Sequence, residues 1–419
     1  MQKRALSPIS PPDLTVELPG SKSLTNRALV CAALADGTSR LSGWSEGEDA
    51  SAMLEGLGRL GVEMEEEKGD LIVHGVGGHF AIPLHPIDCR ASGTTMRFLT
   101  ACGALVPGRV VLDGTPRLRE RPMQEITDVL ETMGASVRTV AGCPPITIQG
   151  GQLSGGKVTI DASRSSQFLS ALLMICPYAA EPVEISAGPI TSRPYVDMTI
   201  ETMISFGAAV DVEGDQHFRV SNTQPYLPRR YVIEPDASGA TYFFAAAAVT
   251  GGRIRVEGLT QASPQGDVRF VEVLQRMGCS VERAPHATAV KGSRYLHGID
   301  VDMNAMPDAA LTLAVVACFA HGPTTIRNVP NLRLKETDRM QALKTELEKL
   351  GARVSLTETD IRIEPPAKVE PARIATYDDH RMAMSFAVAG LRVPGIVIEN
   401  PDCVDKTFPG FWDRLETLG

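Results

Sequence analysis

The stretch SKSLTNRALVCAALADG, residues 21–37, decides how this chain is read: a short polar cluster opens directly onto an alanine-rich apolar run, which glycine then closes. The pattern occurs six times, with clusters beginning at Ser21, Ser92, Ser163, Asp236, Asp308 and Asp379, at intervals of 71, 71, 73, 72 and 71 residues. Spacing this regular predicts one structural unit used six times. Ser or Asp ahead of an apolar run caps the free backbone N–H groups of a helix. The runs RALVCAALADG, TYFFAAAAVTGG and MAMSFAVAGLRVPG are apolar nearly all round, as buried helices are. Lys22, Ser23, Arg27, Gly93, Thr94, Ser165, Ser166, Gln167, Asp308 and Arg381 therefore stand at equivalent helix starts and are expected to meet in space.

A second helix in each repeat is expected to end at Gly61, Gly134, Gly207, Gly278, Gly351 and Gly419, followed by a strand hairpin such as GASV and then ITIQG. Counting back 12 or 13 residues from four of these glycines reaches Arg121, Tyr195, Arg339 and Lys406, with prolines nearby, so this second ring of helices is expected to begin with cations and a tyrosine. The last repeat stops at Gly419 before its strands, whereas the chain opens with an orphan strand-like piece at residues 14–18. The N-terminal segment is expected to complete the sixth repeat. Two domains of three repeats result: residues 20–231, and residues 1–19 together with 236–419, linked by two crossovers at LPG and NTQPYLPRR.

A chain of 419 residues exceeds what one hydrophobic core usually serves. Its net charge of -9, from 41 Lys plus Arg against 50 Asp plus Glu, speaks against nucleic acid or an anionic membrane as a partner. No apolar run reaches the length of a membrane span, and MQKRALSPISPPD lacks the apolar core of a signal peptide. Eight cysteines form no CxxC pair and several lie in the apolar runs, which reads as buried thiols in a reducing cytoplasm. His380 follows Asp378 and Asp379 but has no second His or Cys at ligand spacing, so no metal is expected. A monomer is the default.

Helix N-termini present unpaired N–H donors and a partial positive charge, and so attract anions. Lys22, Arg27, Arg121, Lys335, Arg339, Arg381 and Lys406 add more positive charge than a protein buries without partners. Arginine grips carboxylate or phosphate through two hydrogen bonds, and three arginines at separate repeats lead to the expectation of a small ligand with two anionic groups. Like charges on two domains repel, by roughly 4 kcal/mol per pair at about 4 Å and an effective dielectric near 20, and anionic ligand is expected to draw the domains together.

The segments LPGSKSLTNRAL (18–29), SGTTMRFL (92–99), RERP (119–122), SSQFLSALLM (165–174), SRPYVDMT (192–199), PDAALT (307–312), NLRLKETDR (331–339), DDHRMAMS (378–385) and DKTFP (405–409) resemble the 5-enolpyruvylshikimate 3-phosphate synthase family across almost the whole chain. The resemblance implies an α/β enolpyruvyl transferase fold, two domains each of three repeated βαβαββ units with helix N-termini facing the cleft. It implies transfer of the enolpyruvyl group of phosphoenolpyruvate to the 5-hydroxyl of shikimate 3-phosphate, with release of phosphate and no cofactor. By resemblance Ser23, Arg27, Ser165, Ser166, Ser192, Tyr195, Asn331 and Lys335 hold shikimate 3-phosphate. Gly93, Thr94, Arg121, Arg339, Arg381 and Lys406 surround phosphoenolpyruvate, and Lys22 and Gln167 touch both. Asp308 matches the acceptor of the hydroxyl proton, with Lys22 able to share that work, and Glu336 the residue that handles the proton on the methylene carbon. A carboxylate at a helix start among cations should be a weak base, so an orienting role for Asp308 stands beside the catalytic one.

One departure is Arg90-Ala91, where common members read Gly-Asn; it removes an amide and adds a cation near the phosphoenolpyruvate pocket. Gly93 is the residue type of glyphosate-sensitive members, so sensitivity is expected. The sister family acting on UDP-N-acetylglucosamine carries a reactive Cys in the loop matching PRLRERP (116–122), which here has none. A non-catalytic phosphometabolite binder is the other alternative, disfavoured by the presence of both Asp308 and Glu336.

Overall fold

A computed structural model describes residues 2–419. The second repeat shows the plan most plainly. Strand Ile87–Asp88 leads into helix Gly93–Gly103, then strand Arg109–Asp113 returns parallel to the first. Helix Gln124–Thr132 and the hairpin Ser136–Val140 and Cys143–Gln149 follow, the latter strand antiparallel to Arg109–Asp113. This βαβαββ order yields a four-stranded sheet in which only the first pairing is parallel. The third repeat has the same sheet, ordered Gly156–Ile160, Val183–Ala187, His217–Val220, Val210–Glu213, and the fifth has it as Asp300–Asp302, Thr324–Arg327, Ile361–Glu364, Arg353–Leu356.

The remaining repeats borrow a strand. The first takes Arg230–Val232 alongside Asp36–Ser42, and the fourth takes the N-terminal Asp13–Val16 alongside Arg253–Glu257, both parallel. The sixth pairs Val397–Glu399 antiparallel with Lys3–Ala5. This corrects the expectation for residues 14–18: that strand fills the first position of the fourth repeat, in register Leu14 with Ile254, and the piece that completes the sixth lies nearer the N-terminus. The chain divides into two compact bodies, Gly20–Ile233 and the N-terminal segment through Pro19 together with Glu234–Gly419. Each has its own hydrophobic core.

The first helix of each repeat runs through a core. Every residue from Ala237 to Val249 is buried in helix Ala237–Thr250, and helix His380–Gly390 is buried throughout. Alanine permits such close packing and has the highest helix propensity. The second helices of the first five repeats end before glycines of positive φ, for example Gln124–Thr132 before Gly134 (105°) and Phe270–Arg276 before Gly278 (111°). A side chain at such a φ is strained, which is why the terminators are legible as glycine.

Four helix starts differ from the reading. The N-cap of the third repeat is Ser165, whose Oγ accepts from the N–H of Gln167 at 3.3 Å. Ser163 instead donates its N–H to Asp161 Oδ1 at 2.8 Å, a local turn that delays the helix. Asp308 is not an N-cap residue: it lies in a 3₁₀ turn, Pro307–Ala309, ahead of helix Ala310–Ala317, whose N-cap is Ala309. Arg339 and Tyr195 do stand in the first turns of Arg339–Lys349 and Pro194–Ser205. Arg121 and Lys406 do not, since they close 3₁₀ turns before helices Gln124–Thr132 and Phe411–Glu416.

Candidate active site

In the body Gly20–Ile233, Ser21 caps helix Lys22–Leu34, accepting from the N–H of Leu24 at 3.4 Å. Lys22 Nζ donates to Asp49 Oδ2 at 3.1 Å, and Asp49 is itself buried in the first turn of helix Glu48–Arg59. Ser23 offers its carbonyl to Arg27 Nη1 at 2.8 Å. Arg27 is 2 % exposed; its Nε donates to Thr199 Oγ1 at 2.7 Å and its Nη2 to the carbonyl of Tyr195 at 2.9 Å. Burial pulls its pKa down to about 10, against the neighbouring Tyr195, so the group stays cationic at neutral pH. Arg27 thus joins two predicted site residues through their backbones.

A second group forms at the start of helix Gly93–Gly103. Gln167 Nε2 donates to Thr94 Oγ1 at 3.0 Å, and the guanidinium of Arg121 lies flat against Gly93. A Cβ on Gly93 would fall 2.3 Å from Arg121 Nη1, so glycine here is a matter of space. Ser166 is buried at the third helix start, and Ser192 is buried with φ 55°, an uncommon backbone for serine. Such residues concentrate where a site demands a geometry. The cation that the sequence adds at Arg90 pairs with Glu55, so its charge is neutralised locally.

In the other body six predicted residues form one ionic array. Asp308 is 2.9 Å from Arg339 Nη1, 2.9 Å from Arg381 Nη2 and 3.6 Å from Lys335 Nζ. Arg339 Nη2 also meets Glu336 Oε2 at 2.9 Å, and Glu336 stands 3.8 Å from Lys406 Nζ. Asn331 is buried nearby in sequence, in the 3₁₀ turn Pro330–Leu334. Burial alone would lower the pKa of Arg339; Asp379, Glu336 and Asp308 outweigh it and raise it above the ordinary range. His380 is buried beside the array, and burial, then Arg381, holds its imidazole neutral. Burial, then Asp308, raises the Asp267 carboxyl to about 6. Ser238 donates its hydroxyl to that carboxyl.

Several residues that shape these groups were not on the sequence-derived list. Asp379 accepts from Arg339 Nε at 2.7 Å while capping its own helix through the N–H of Arg381, and Tyr242 accepts from Arg381 Nη1 at 3.1 Å. Asp49, Arg97 and Asp267 are the others. Asp379 had a visible signal as a repeat start; Arg97 sits inside the quoted SGTTMRFL segment, where a helical arginine reads as a surface charge.

The family model described as EPSP synthase (3-phosphoshikimate 1-carboxyvinyltransferase) matches residues 7–415. The 3-phosphoshikimate 1-carboxyvinyltransferase of Nostoc punctiforme is 46% identical over 410 residues, covering 97% of this chain and 96% of that protein. The enzyme of the same name from Mannheimia succiniciproducens is 45% identical over 433 residues, covering 100% and 99%. Among solved structures, EPSP synthase from Acinetobacter baumannii superposes with a TM-score of 0.85 at 30% identity, covering 100% of this chain and 98% of that one. The enolpyruvyl transferase NikO from Streptomyces tendae gives 0.80 at 17% identity, covering 99% and 96%, a likeness of fold alone.

Proposed function

Because the chain belongs to the EPSP synthase family, we propose that it works as a 3-phosphoshikimate 1-carboxyvinyltransferase, moving enolpyruvyl from phosphoenolpyruvate to the 5-hydroxyl of shikimate 3-phosphate. It is a transferase of the shikimate pathway with an enolpyruvyl transferase fold. The observation that carries the residue-level reading is the array around Arg339, in which two carboxylates, Asp308 and Glu336, are held within reach of four cations. Proton transfer needs positioned acid–base groups, and the doubly charged phosphate needs cations.

In the proposed sequence, C3 of phosphoenolpyruvate takes a proton from the protonated carboxyl of Glu336 as the 5-hydroxyl oxygen bonds to C2 and gives its own proton to Asp308. Return of the C3 proton to Glu336 then restores the double bond while the C2–O bond to phosphate breaks, releasing inorganic phosphate. Arg339, Arg381 and Lys406 balance the charge on the departing group. Lys22, Ser23, Arg27, Ser165, Ser166, Gln167, Ser192, Tyr195, Asn331 and Lys335 hold shikimate 3-phosphate, and Gly93, Thr94 and Arg121 line the phosphoenolpyruvate side with Lys22 and Gln167. The close placement of Gly93, Thr94, Gln167 and Arg121 supports that grouping. No helix among the described residues is long and apolar enough to cross a membrane. A reducing cytoplasm suits the free and mostly buried thiols. One chain as the working unit suits a sequence that carries both residue groups itself.

Inorganic phosphate production tests the proposal. It should require both substrates together and fall about 100-fold or more in Asp308→Asn. Phosphate release from either substrate alone would contradict the transferase reading; turnover of Asp308→Asn within about tenfold of wild type would remove Asp308 as the base and leave it an orienting group.

A further inference from the structure

The side-chain amide of Gln167 lies between two groups that fix which end points where. Arg97, 3 % exposed in helix Gly93–Gly103, donates from Nη1 to Gln167 Oε1 at 2.7 Å and to the Gly93 carbonyl at 3.3 Å. Its Nη2 donates to the carbonyl of Pro122 at 3.4 Å, and the guanidinium lies 5.0 Å from the centroid of the Phe168 ring. A guanidinium has donors and no acceptor, so the amide oxygen must face it and the NH₂ must face away. That NH₂ donates to Thr94 Oγ1 at 3.0 Å. Pro122 directly follows Arg121, whose guanidinium covers Gly93. One buried cation therefore touches the Gln167 amide, the helix start at Gly93 and the loop that carries Arg121.

We propose that Arg97 is a positioning residue for the transfer reaction: it holds the Gln167 amide with its donor end toward the substrates, without touching substrate. The inference rests on the function proposed above. Without the arginine, the amide is free to turn by half a rotation and present its oxygen to an anionic substrate, replacing an attraction with a repulsion. The planar ring of Phe168 and three carbonyl-type acceptors suit a flat, forked cation, so lysine satisfies the site only in part.

The test is a double-mutant cycle. Arg97→Met, Arg97→Lys, Gln167→Ala and the two pairwise combinations are assayed for phosphate release, with rates referred to folded enzyme by thermal melting. Arg97→Met should lower kcat/KM for phosphoenolpyruvate by about 30- to 100-fold, the effect expected when a hydrogen bond to a charged group is lost, and Arg97→Lys by about tenfold. In the Gln167→Ala background either change should cost no more than about threefold, because the group through which Arg97 acts is gone. Equal losses in both backgrounds, or losses under threefold in the wild-type background, would overturn the inference. If Arg97→Met does not fold, the cycle with Arg97→Lys decides by the same criterion. A wild-type enzyme that releases no phosphate with both substrates sinks the functional reading, and the inference with it; normal wild-type turnover with an additive cycle sinks the inference alone.

Discussion

The two bodies share one topology, yet Arg27 and Arg97 in the one and Arg339 in the other are satisfied in opposite ways. In Gly20–Ile233, the contacts of Arg27 run to neutral oxygens, Thr199 Oγ1 and the carbonyls of Ser23 and Tyr195. Those of Arg97 include Gln167 Oε1 and two carbonyls. In the other body, Arg339 alone meets three carboxylates, Asp308, Glu336 and Asp379. Neutral acceptors leave the positive charge available to an anion, whereas carboxylates cancel it and bring groups that exchange protons. The repeat fixes where a helix begins; the residue standing there decides whether the place binds or reacts.

The largest effect should come from breaking the carboxylate-rich side. Arg339→Met leaves Asp308, Glu336 and Asp379 facing one another without their shared cation, and removing one partner of a buried ion pair costs about 3–5 kcal/mol. Chemical denaturation should register that loss, together with turnover reduced by roughly 1,000-fold or more. A stability change under about 1 kcal/mol would mean that the three carboxylates do not depend on Arg339.

On the cation-rich side a single methyl group should act on binding. Gly93→Ala places a Cβ 2.3 Å from Arg121 Nη1, which forces the guanidinium to move. Steady-state kinetics should show KM for phosphoenolpyruvate raised by about tenfold or more, with KM for shikimate 3-phosphate nearly unchanged. Equal increases for both substrates would erase the distinction drawn between Arg121 and the Arg27 group.

The smallest effect is on stability and follows from Asp267. Burial, then Asp308, raises its carboxyl to about 6, above its unfolded value, so the folded state prefers the protonated form. Below the unfolded pKa both states are protonated and nothing is lost. As pH rises through about 6 the folded state must ionise a buried acid and stability falls. Asp267→Asn removes that ionisation and still accepts from Ser238. Melting temperatures should therefore be higher for the variant above pH 7, by a free energy on the order of 1–3 kcal/mol, and converge with wild type below about pH 4. A constant difference across that range would contradict the assignment.

Much of this organisation is legible in the sequence because alanine-rich helices and glycine terminators leave residue-type signatures at every repeat. Strand ownership is not, since Lys3–Ala5 and Asp13–Val16 are short and either would complete a sheet on composition alone. Asp308 does not stand at an N-cap because a 3₁₀ turn beginning at Pro307 precedes the helix there, and the carboxylate faces the arginines. Arg97 and Asp379 gain their importance from partners 70 and 40 residues away, separations no local pattern encodes.

The division of labour between the two bodies is tested most directly by deuterium incorporation at C3 of the enolpyruvyl group during turnover in D₂O, compared between Glu336→Gln and Gln167→Ala at saturating substrates. Glu336→Gln should lose incorporation by about 100-fold or more, while Gln167→Ala, once saturated, should keep the wild-type ratio of deuterium to product. Undiminished incorporation in Glu336→Gln would contradict the account.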